Sequence, residues 1–460
     1  MSFIWRFAAD PWLWLVGVVA VAVRAIRPGL AVVIWDEINL LFWSSRIAHH
    51  GDWIWLSNNW VDWGMSWSPI VGHSPLNNYF LVIPYLLTTD PLFIRLCVQL
   101  MGALSVVVLY VTVKRYFGTF AAVVSGMTLA LSPYAIENVR HAINPSLAPL
   151  FIALWMLTGL LGYYENRRWA QVLHWLFLGI AAQNHPVNAL LVLSSLILLI
   201  HSLRCQASQR RATIVYTGLG ILIAALTYIP WLLGTFGGEA FRSGVMSIRI
   251  VYPEPQTPLQ LSELVMQFSR LASNTAFDTI RRSTTSSMPN LWAPIALDNM
   301  LWIHTIALLL GSVMFTIYAL LKPKDRLPYL LIVSVAFLPL LISNLISPDR
   351  IRDFYLLSLP FGTSAIWGVL LSKIAQWKPI GLILSALAAF VVSFTFAWLS
   401  IGKFYWLAHY GWEQMQRAPM DVLVDLVNQW SRQADDVVFL VDAFEEQYAT
   451  VDTQRYFWTV

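Results

Sequence analysis

The sequence Trp35-Asp36-Glu37 begins the stretch around which the chain is organised. That stretch ends with His73-Ser74-Pro75-Leu76-Asn77-Asn78-Tyr79. The first apolar segment, Trp12–Ile26, gives way there to a polar, aromatic-rich loop. Two adjacent carboxylates at a boundary between lipid and water are poorly solvated, which raises proton affinity and suits one of them to act as a general base. The alternative interpretation is a solvated helix end, since acidic residues commonly follow helices. The residues alone leave both interpretations open.

Composition indicates an all-α polytopic membrane protein. Hydrophobic residues make up 58% of the 460 residues, charged residues make up only 12%, and the mean hydropathy is +0.61. Runs of about 17–25 apolar residues, each long enough to cross a bilayer as a helix, recur along the chain. These runs are continuous rather than alternating, which favours helices over a closed barrel. The net charge of +4 includes no basic run typical of nucleic-acid binding, so no nucleic-acid partner is expected.

Hydropathy predicts about eleven transmembrane helices within residues 1–401. The predicted spans are Trp12–Ile26, Leu92–Val113, Phe120–Leu131, Leu147–Leu161, Leu173–Ala182, Val187–Leu203, Ile214–Leu233, Met300–Leu321, Leu327–Ile346, Phe354–Leu371 and Ile380–Ile401. Residues 28–91 and 234–299 form two large external loops in this scheme. Residues 402–460 read as a short external α/β segment, with a helix at Asp421–Arg432 and a strand at 436–442, and we expect it to be incomplete because it is too short to close a core.

The connecting loops alternate in charge, and five of the six lysines fall on one side, which we predict to be cytoplasmic. This topology places Asp36, Glu37, His73, Arg140 and Arg350 on the opposite, outer face. They are therefore able to share a cavity, although loops on one face also contain charged residues without any common function. We expect a multi-pass protein of the bacterial plasma membrane whose active site faces outside. Cys97 lies inside an apolar run and Cys205 in a basic loop. The two cannot both lie in an oxidising compartment in this scheme, so no disulfide is expected.

Four motifs in this order resemble the GT-C superfamily of membrane glycosyltransferases, and most of all its protein O-mannosyltransferase and aminoarabinose transferase branch. They are Trp35-Asp36-Glu37, His73-Ser74-Pro75-Leu76, the segment 137–145 (ENVRHAINP) and the segment 350–360 (RIRDFYLLSLP). The chain departs from the family pattern at Ser74, at Asn144 and at Asp353-Phe354. The resemblance covers most of the chain to about Ile401 and implies a GT-C-type bundle with a large first external loop.

The resemblance implies an inverting transfer of a sugar from a polyprenyl-phosphate carrier to a hydroxyl of a lipid, glycan or protein acceptor. Asp36 matches the first acid of the motif and is assigned as the general base, while Glu37 orients the acceptor or holds an arginine. Two arginines are candidates for binding the phosphate, namely Arg140 and either Arg350 or Arg352. A guanidinium presents hydrogen-bond donors in a planar fork that matches phosphate oxygens. For Arg352, snorkelling to the headgroup level is the alternative.

His73, His141 and Tyr355 complete the expected substrate-binding residues. For each histidine a purely structural role is the alternative, and it is the more common one near a membrane surface. Related enzymes of this branch need no metal in the chemical step, so we expect no metal and no cofactor. The tryptophans that crowd the first loop either stack on sugar faces or form an interfacial belt.

Other functions fit parts of the pattern. A transporter or flippase for lipid-linked sugars favours charges and broken helices near the middle of the membrane, whereas the distinctive polar groups here cluster at one face. An oligosaccharide polymerase or ligase also uses a large external loop with arginines, but usually lacks the early acid pair. A non-catalytic scaffold gives no reason for four ordered motifs.

Overall fold

A computed structural model of the protein describes residues 9–30, 35–51, 74–236, 293–322, 326–346, 356–377 and 379–406. Every regular element within these ranges is helical. In chain order the helices are α1 (Pro11–Ala25), α2 (Trp35–His50), α3 (Leu76–Tyr85), α4 (Pro91–Phe117), α5 (Thr119–Leu131), α6 (Pro133–Glu137), α7 (Ala148–Gly159), α8 (Arg168–Asn184), α9 (Val192–Cys205), α10 (Arg210–Leu226), α11 (Ile229–Phe236), α12 (Ala293–Leu321), α13 (Arg326–Ile346), α14 (Leu359–Ala375) and α15 (Ile380–Trp406).

A helix lies at each of the predicted hydropathy segments. Five helical stretches in the described ranges are long and apolar enough to cross a membrane, namely Pro91–Phe117, Asn144–Tyr164, Pro186–Cys205, Ile303–Leu321 and Ile380–Gly402. Four shorter apolar helices are Pro11–Ala25, Thr119–Leu131, Arg326–Ile342 and Leu359–Ala375. The all-α class is thus confirmed, while the number of eleven crossings stays a prediction.

Several boundaries differ from the predicted ones. The stretch after Trp35, predicted as a loop, begins with helix α2, whose polar sequence gives it no hydropathy signal. The predicted span Ile214–Leu233 is broken between α10 and α11. Helix α15 continues to Trp406, past the predicted domain boundary at residue 401. The predicted C-terminal α/β segment lies otherwise outside the described residues.

Short polar residues and prolines set the helix ends. Asp10 accepts a hydrogen bond from the Trp12 backbone N–H at 3.2 Å, and Pro11 occupies the first turn of α1. Asp90 caps α4 in the same way, at 2.8 Å from the Leu92 N–H. Both arrangements use an acceptor for an orphan N–H and a proline where no donor is needed. Gly118, at φ +90°, then allows the sharp reversal from α4 into α5.

Helix α14 forms the centre of the bundle, since every residue from Leu359 to Leu371 is buried. It approaches α5 so closely that a Cβ added at Gly368 would overlap Ser125 Oγ and the Ala121 carbonyl oxygen. Small residues permit such close packing of membrane helices, whose association depends on van der Waals contact rather than on burial from water.

A buried arginine and a serine join three helices at one end of the bundle. Arg24, in the last turn of α1, donates to the carbonyl oxygens of Ala130 at 2.9 Å and Leu129 at 3.1 Å. These carbonyls end α5 and have no partner within that helix, so the cation satisfies them and meets the negative end of the helix dipole. Ser400 of α15 donates to the next carbonyl, that of Leu131, at 3.0 Å.

We predict that Gly368→Ala destabilises the protein by about 1–3 kcal/mol, because the added methyl group forces α5 and α14 apart. Gly218→Ala is the matched control, since an added Cβ there meets nothing within 4 Å. The control should unfold no earlier than the wild type in detergent micelles. Equal unfolding midpoints for Gly368→Ala and the wild type would contradict the close α5–α14 contact.

Candidate functional site

A buried ion pair connects the starts of two helices. Arg95, in the second turn of α4, donates from Nε to Glu37 Oε1 at 2.6 Å and from Nη2 to Glu37 Oε2. Both side chains have no exposed surface. Glu37 Oε1 also accepts the backbone N–H of Ala142 at 2.8 Å. The carboxylate therefore holds α2, α4 and the segment after α6 together through bidentate, charge-assisted hydrogen bonds.

The turn after α1 supplies further acceptors to this cluster. Arg95 Nη1 donates to the Pro28 carbonyl at 3.3 Å, and Arg140 Nη2 donates to the Arg27 carbonyl at 3.1 Å. Arg27 has φ +46°, a left-handed backbone that a non-glycine residue adopts only where its surroundings impose it. This bend directs two successive carbonyl groups at two buried guanidinium groups. Burial lowers the pKa of Arg140 to about 10, which still leaves it cationic at neutral pH.

His141 lies between two carboxylates. Its Nδ1 is 3.6 Å from Glu37 Oε2 and its Nε2 is 3.8 Å from Glu137 Oε1. Burial alone lowers the pKa of the imidazole, but its contacts with Glu137 and Glu37 outweigh burial and raise the pKa above its ordinary value. His141 therefore favours the charged form at this position.

Glu37 is ionised in this setting. Burial alone raises the pKa of its carboxyl group, but the Arg95 charge and the contact with His141 are stronger, and the pKa falls to about 2. The sequence predicted a raised proton affinity for a carboxylate at this boundary. For Glu37 that expectation was wrong, because Arg95 compensates the loss of water.

Two asparagines of α3 extend the polar cluster. Asn77 donates to the Asn144 carbonyl oxygen at 3.1 Å and to its side-chain oxygen at 3.2 Å. Asn78 donates to the Leu40 carbonyl at 3.2 Å and to Ser44 Oγ at 3.3 Å, both in α2. The element that ends the first loop is thus fastened to α2 on one side and to the segment after α6 on the other.

A second chain of hydrogen bonds leads away from the start of α3. Ser74 Oγ donates to Gln183 Oε1 at 2.7 Å, and Gln183 Nε2 donates to Thr227 Oγ1 at 2.6 Å. Thr227 lies at the break between α10 and α11, just before the second large loop. Gln183 therefore connects the end of the first large loop to the segment that precedes the second large loop.

The predicted site residues divide into two groups. Glu37, Arg140 and His141 lie around Arg95 at one end of α4, and Arg95 is about 29 Å along that helix from Lys114 at the other end. Asp36 belongs to the first turn of α2, but its side chain is outside the described part of the structure. His73, Arg350, Arg352 and Tyr355 also lie outside the described residues, so their roles stay predictions, as does the expected absence of a metal.

Sequence reasoning missed Arg95, Asn77, Asn78 and Gln183. A signal for Arg95 was available, because it is a charged residue inside the predicted span Leu92–Val113, and such residues usually face the bundle interior and carry a function. The asparagines sit in the quoted loop element, yet no spacing rule assigns them partners more than thirty residues away.

Comparison with known proteins gives a family match over part of the chain and several similar folds. The sequence model of the family described as dolichyl-phosphate-mannose-protein mannosyltransferase matches residues 72–233, roughly a third of the chain. The fold is similar to that of the oligosaccharyltransferase of Archaeoglobus fulgidus, with 14% identity, a TM-score of 0.51, and coverage of 85% of this chain and 55% of that chain. The similarity shows a fold of the GT-C type, and the family match is confined to residues 72–233.

Other GT-C structures are also similar. ArnT from Cupriavidus metallidurans, bound to undecaprenyl phosphate, is 16% identical over 87% of this chain and 76% of that chain, with a TM-score of 0.46. The arabinosyltransferase EmbB from Mycobacterium smegmatis is 14% identical over 89% of this chain and 41% of that chain, with a TM-score of 0.44. No curated protein sequence matches this chain.

We predict that Arg95→Gln lowers the free energy of unfolding by about 3–5 kcal/mol, because it leaves the Glu37 carboxylate buried without a counter-charge. The double variant Glu37→Gln/Arg95→Gln should be more stable than Arg95→Gln alone, since it removes the uncompensated charge. Unfolding in mixed micelles measures the stability of the single and the double variant. Additive losses in the double variant would show that the two side chains do not stabilise each other.

A pH dependence follows from His141. Its pKa is higher in the folded protein than the ordinary value of about 6.5, so its stabilisation is complete below about pH 6.5 and is lost as pH rises through the folded value. The unfolding midpoint of the wild type should therefore exceed that of His141→Gln most at pH 6, and the difference should shrink towards pH 9. The control variant His50→Gln, at the exposed far end of α2, should show no such trend.

Proposed function

We propose that this GT-C protein moves a sugar from a polyprenyl-phosphate carrier to a hydroxyl group of a lipid, glycan or protein acceptor, with inversion at the anomeric carbon, at the outer face of a bacterial plasma membrane. The family matched at residues 72–233 is described by a dolichyl-phosphate-linked sugar donor, which supports a donor of this class. The polar cluster at the end of α4 away from Lys114 and Arg115 supports placing the reaction at the outer face.

The proposal depends on one observation, which is that the carboxylate oxygens of Glu37 already have hydrogen-bond donors. Its two oxygens already receive two guanidinium hydrogen bonds and one backbone N–H, and a carboxylate with a pKa near 2 is a weak base. Proton transfer is therefore assigned to Asp36.

In the proposed reaction the acceptor oxygen attacks the anomeric carbon while its proton passes to Asp36. The bond between that carbon and the phosphate oxygen breaks, and its electron pair leaves with the carrier phosphate. Arg140, together with Arg350 or Arg352, is proposed to stabilise the negative charge that develops on the phosphate. His73, His141 and Tyr355 are proposed to contact sugar or phosphate. Glu37 acts in this scheme as a positioning residue that fixes the first turn of α2.

We expect Asp36→Asn to lower transfer from a panel of radiolabelled polyprenyl-phosphate sugars by about 10²–10⁴-fold in protein reconstituted into lipid vesicles. Asp90→Asn is the matched control, since this exposed carboxylate lies at the same end of α4 and only caps the helix. It should retain most of the activity. Donor binding without turnover in the wild type would instead favour a transporter, and full activity of Asp36→Asn would remove Asp36 as the base.

A further inference from the structure

A small internal cavity lies beside the segment that follows α6. Its volume is about 10 Å³, close to the space that one water molecule needs in a protein interior. Parts of the chain that are distant in sequence meet around it, namely the last turn of α1, helix α4, the segment after α6 and the start of α14. Most of its lining is apolar and includes Leu129, Leu357 and Phe361. Three polar residues also line it, and they are Arg24, Ser105 and Asn138.

The guanidinium group of Arg24 has one hydrogen-bond donor left over. The residue is only 1% exposed, and its Nη1 and Nη2 donate to the carbonyl oxygens of Ala130 and Leu129. Its Nε–H is buried and has no acceptor among the residues that the structure describes. A buried donor of a charged group that lacks an acceptor costs more free energy than a typical hydrogen bond contributes. We therefore expect a bound partner at this atom.

Ser105 and Asn138 supply acceptors to the same cavity. The Ser105 hydroxyl donates to the Gly102 carbonyl at 2.6 Å, so its hydrogen is already used and only its lone pairs are available. Asn138 is 8% exposed, and its side-chain amide has no hydrogen-bond partner in the described ranges. The Oδ1 atom of this amide is a second acceptor. The cavity thus combines one cationic donor with two neutral acceptors.

This combination of groups fits a neutral molecule better than an ion. An anion would be repelled by the lone pairs of Ser105 and by the carbonyl oxygen of Leu129, and a cation would be repelled by Arg24. A water molecule can accept one hydrogen bond from Arg24 Nε and donate two, to Ser105 Oγ and Asn138 Oδ1. Buried waters typically make about three hydrogen bonds, so this number is the usual one.

We propose that the cavity binds one structural water molecule, held by Arg24 Nε, Ser105 Oγ and Asn138 Oδ1. The water joins the end of α1 to α4 and to the segment after α6. Asn138 lies two residues before Arg140, whose Nη2 donates to the Arg27 carbonyl at 3.1 Å. The water and this hydrogen bond together fasten the segment to the last turn of α1 and to the turn that follows it. The water therefore helps to fix the position of Arg140 in the candidate site.

The direct test is a structure of the full chain, prepared in sodium bromide, at a resolution that shows ordered water. We expect one density peak in the cavity, about 2.7–3.2 Å from Arg24 Nε, without an anomalous signal from bromide. A cavity without density would overturn the proposal. A bromide peak at this place would also overturn it, because the ligand would then be an anion.

Two matched serine variants measure what the water contributes to stability. Ser105 and Ser312 are both buried, and each hydroxyl donates to a carbonyl of its own helix, at 2.6 Å and 2.7 Å. Of the two, only Ser105 lines the cavity. Ser105→Ala also removes an acceptor of the water, so it should lower the ratio of folded to unfolded protein on the order of fivefold more than Ser312→Ala does.

Denaturant unfolding of both variants in detergent micelles gives these ratios. Equal losses would contradict the proposal, because they would show that Ser105 has no partner in the cavity. The comparison is internal to one kind of change, since each variant loses one hydroxyl group and one bond to a helix carbonyl. Neither the bromide structure nor the serine variants use sugar transfer, so their outcomes are independent of the test of Asp36.

Discussion

The ion pair between Glu37 and Arg95 is the contact on which the candidate site depends. Two charges without exposed surface are stable together only if their geometry is good and their remaining hydrogen-bonding positions are filled. The Pro28 carbonyl and the Ala142 N–H fill them. Four separate parts of the chain are thereby held at fixed distances. A pair of this kind contributes a defined geometry more than it contributes net stability.

The bundle beneath holds that geometry in place. Arg24 fastens α1 to the end of α5, and the turn that follows α1 presents the carbonyl groups of Arg27 and Pro28 to the site. Close packing at Gly368 fixes α5 against the central helix α14. Small shifts in these helices would therefore reach the buried arginines, because close-packed interiors transmit strain rather than absorb it.

The sequence predicted most of the helices, since a bilayer requires apolar runs of a certain length and such runs are directly visible. It could not predict α2, which is too polar to give a hydropathy signal. The grouping of Glu37, Arg140 and His141 followed from the alternation of charged loops. The alternation of charged loops did not predict that Arg95 is the partner of Glu37. Arg95 lies inside an apolar run, and its pairing depends on how α4 is rotated in the bundle. The pKa of Glu37 was mispredicted for the same reason.

We propose that the contact between Glu37 and Arg95 positions Asp36, the proposed base, and the most direct test is the transfer rate of Glu37→Asp. This variant keeps the charge but shortens the side chain by one methylene, so α2 must shift to restore the contact. We predict that kcat for polyprenyl-phosphate sugar transfer falls at least about tenfold with little change in KM, because small misplacements of a catalytic group are costly. An unchanged kcat in a folded variant would contradict this role for the ion pair.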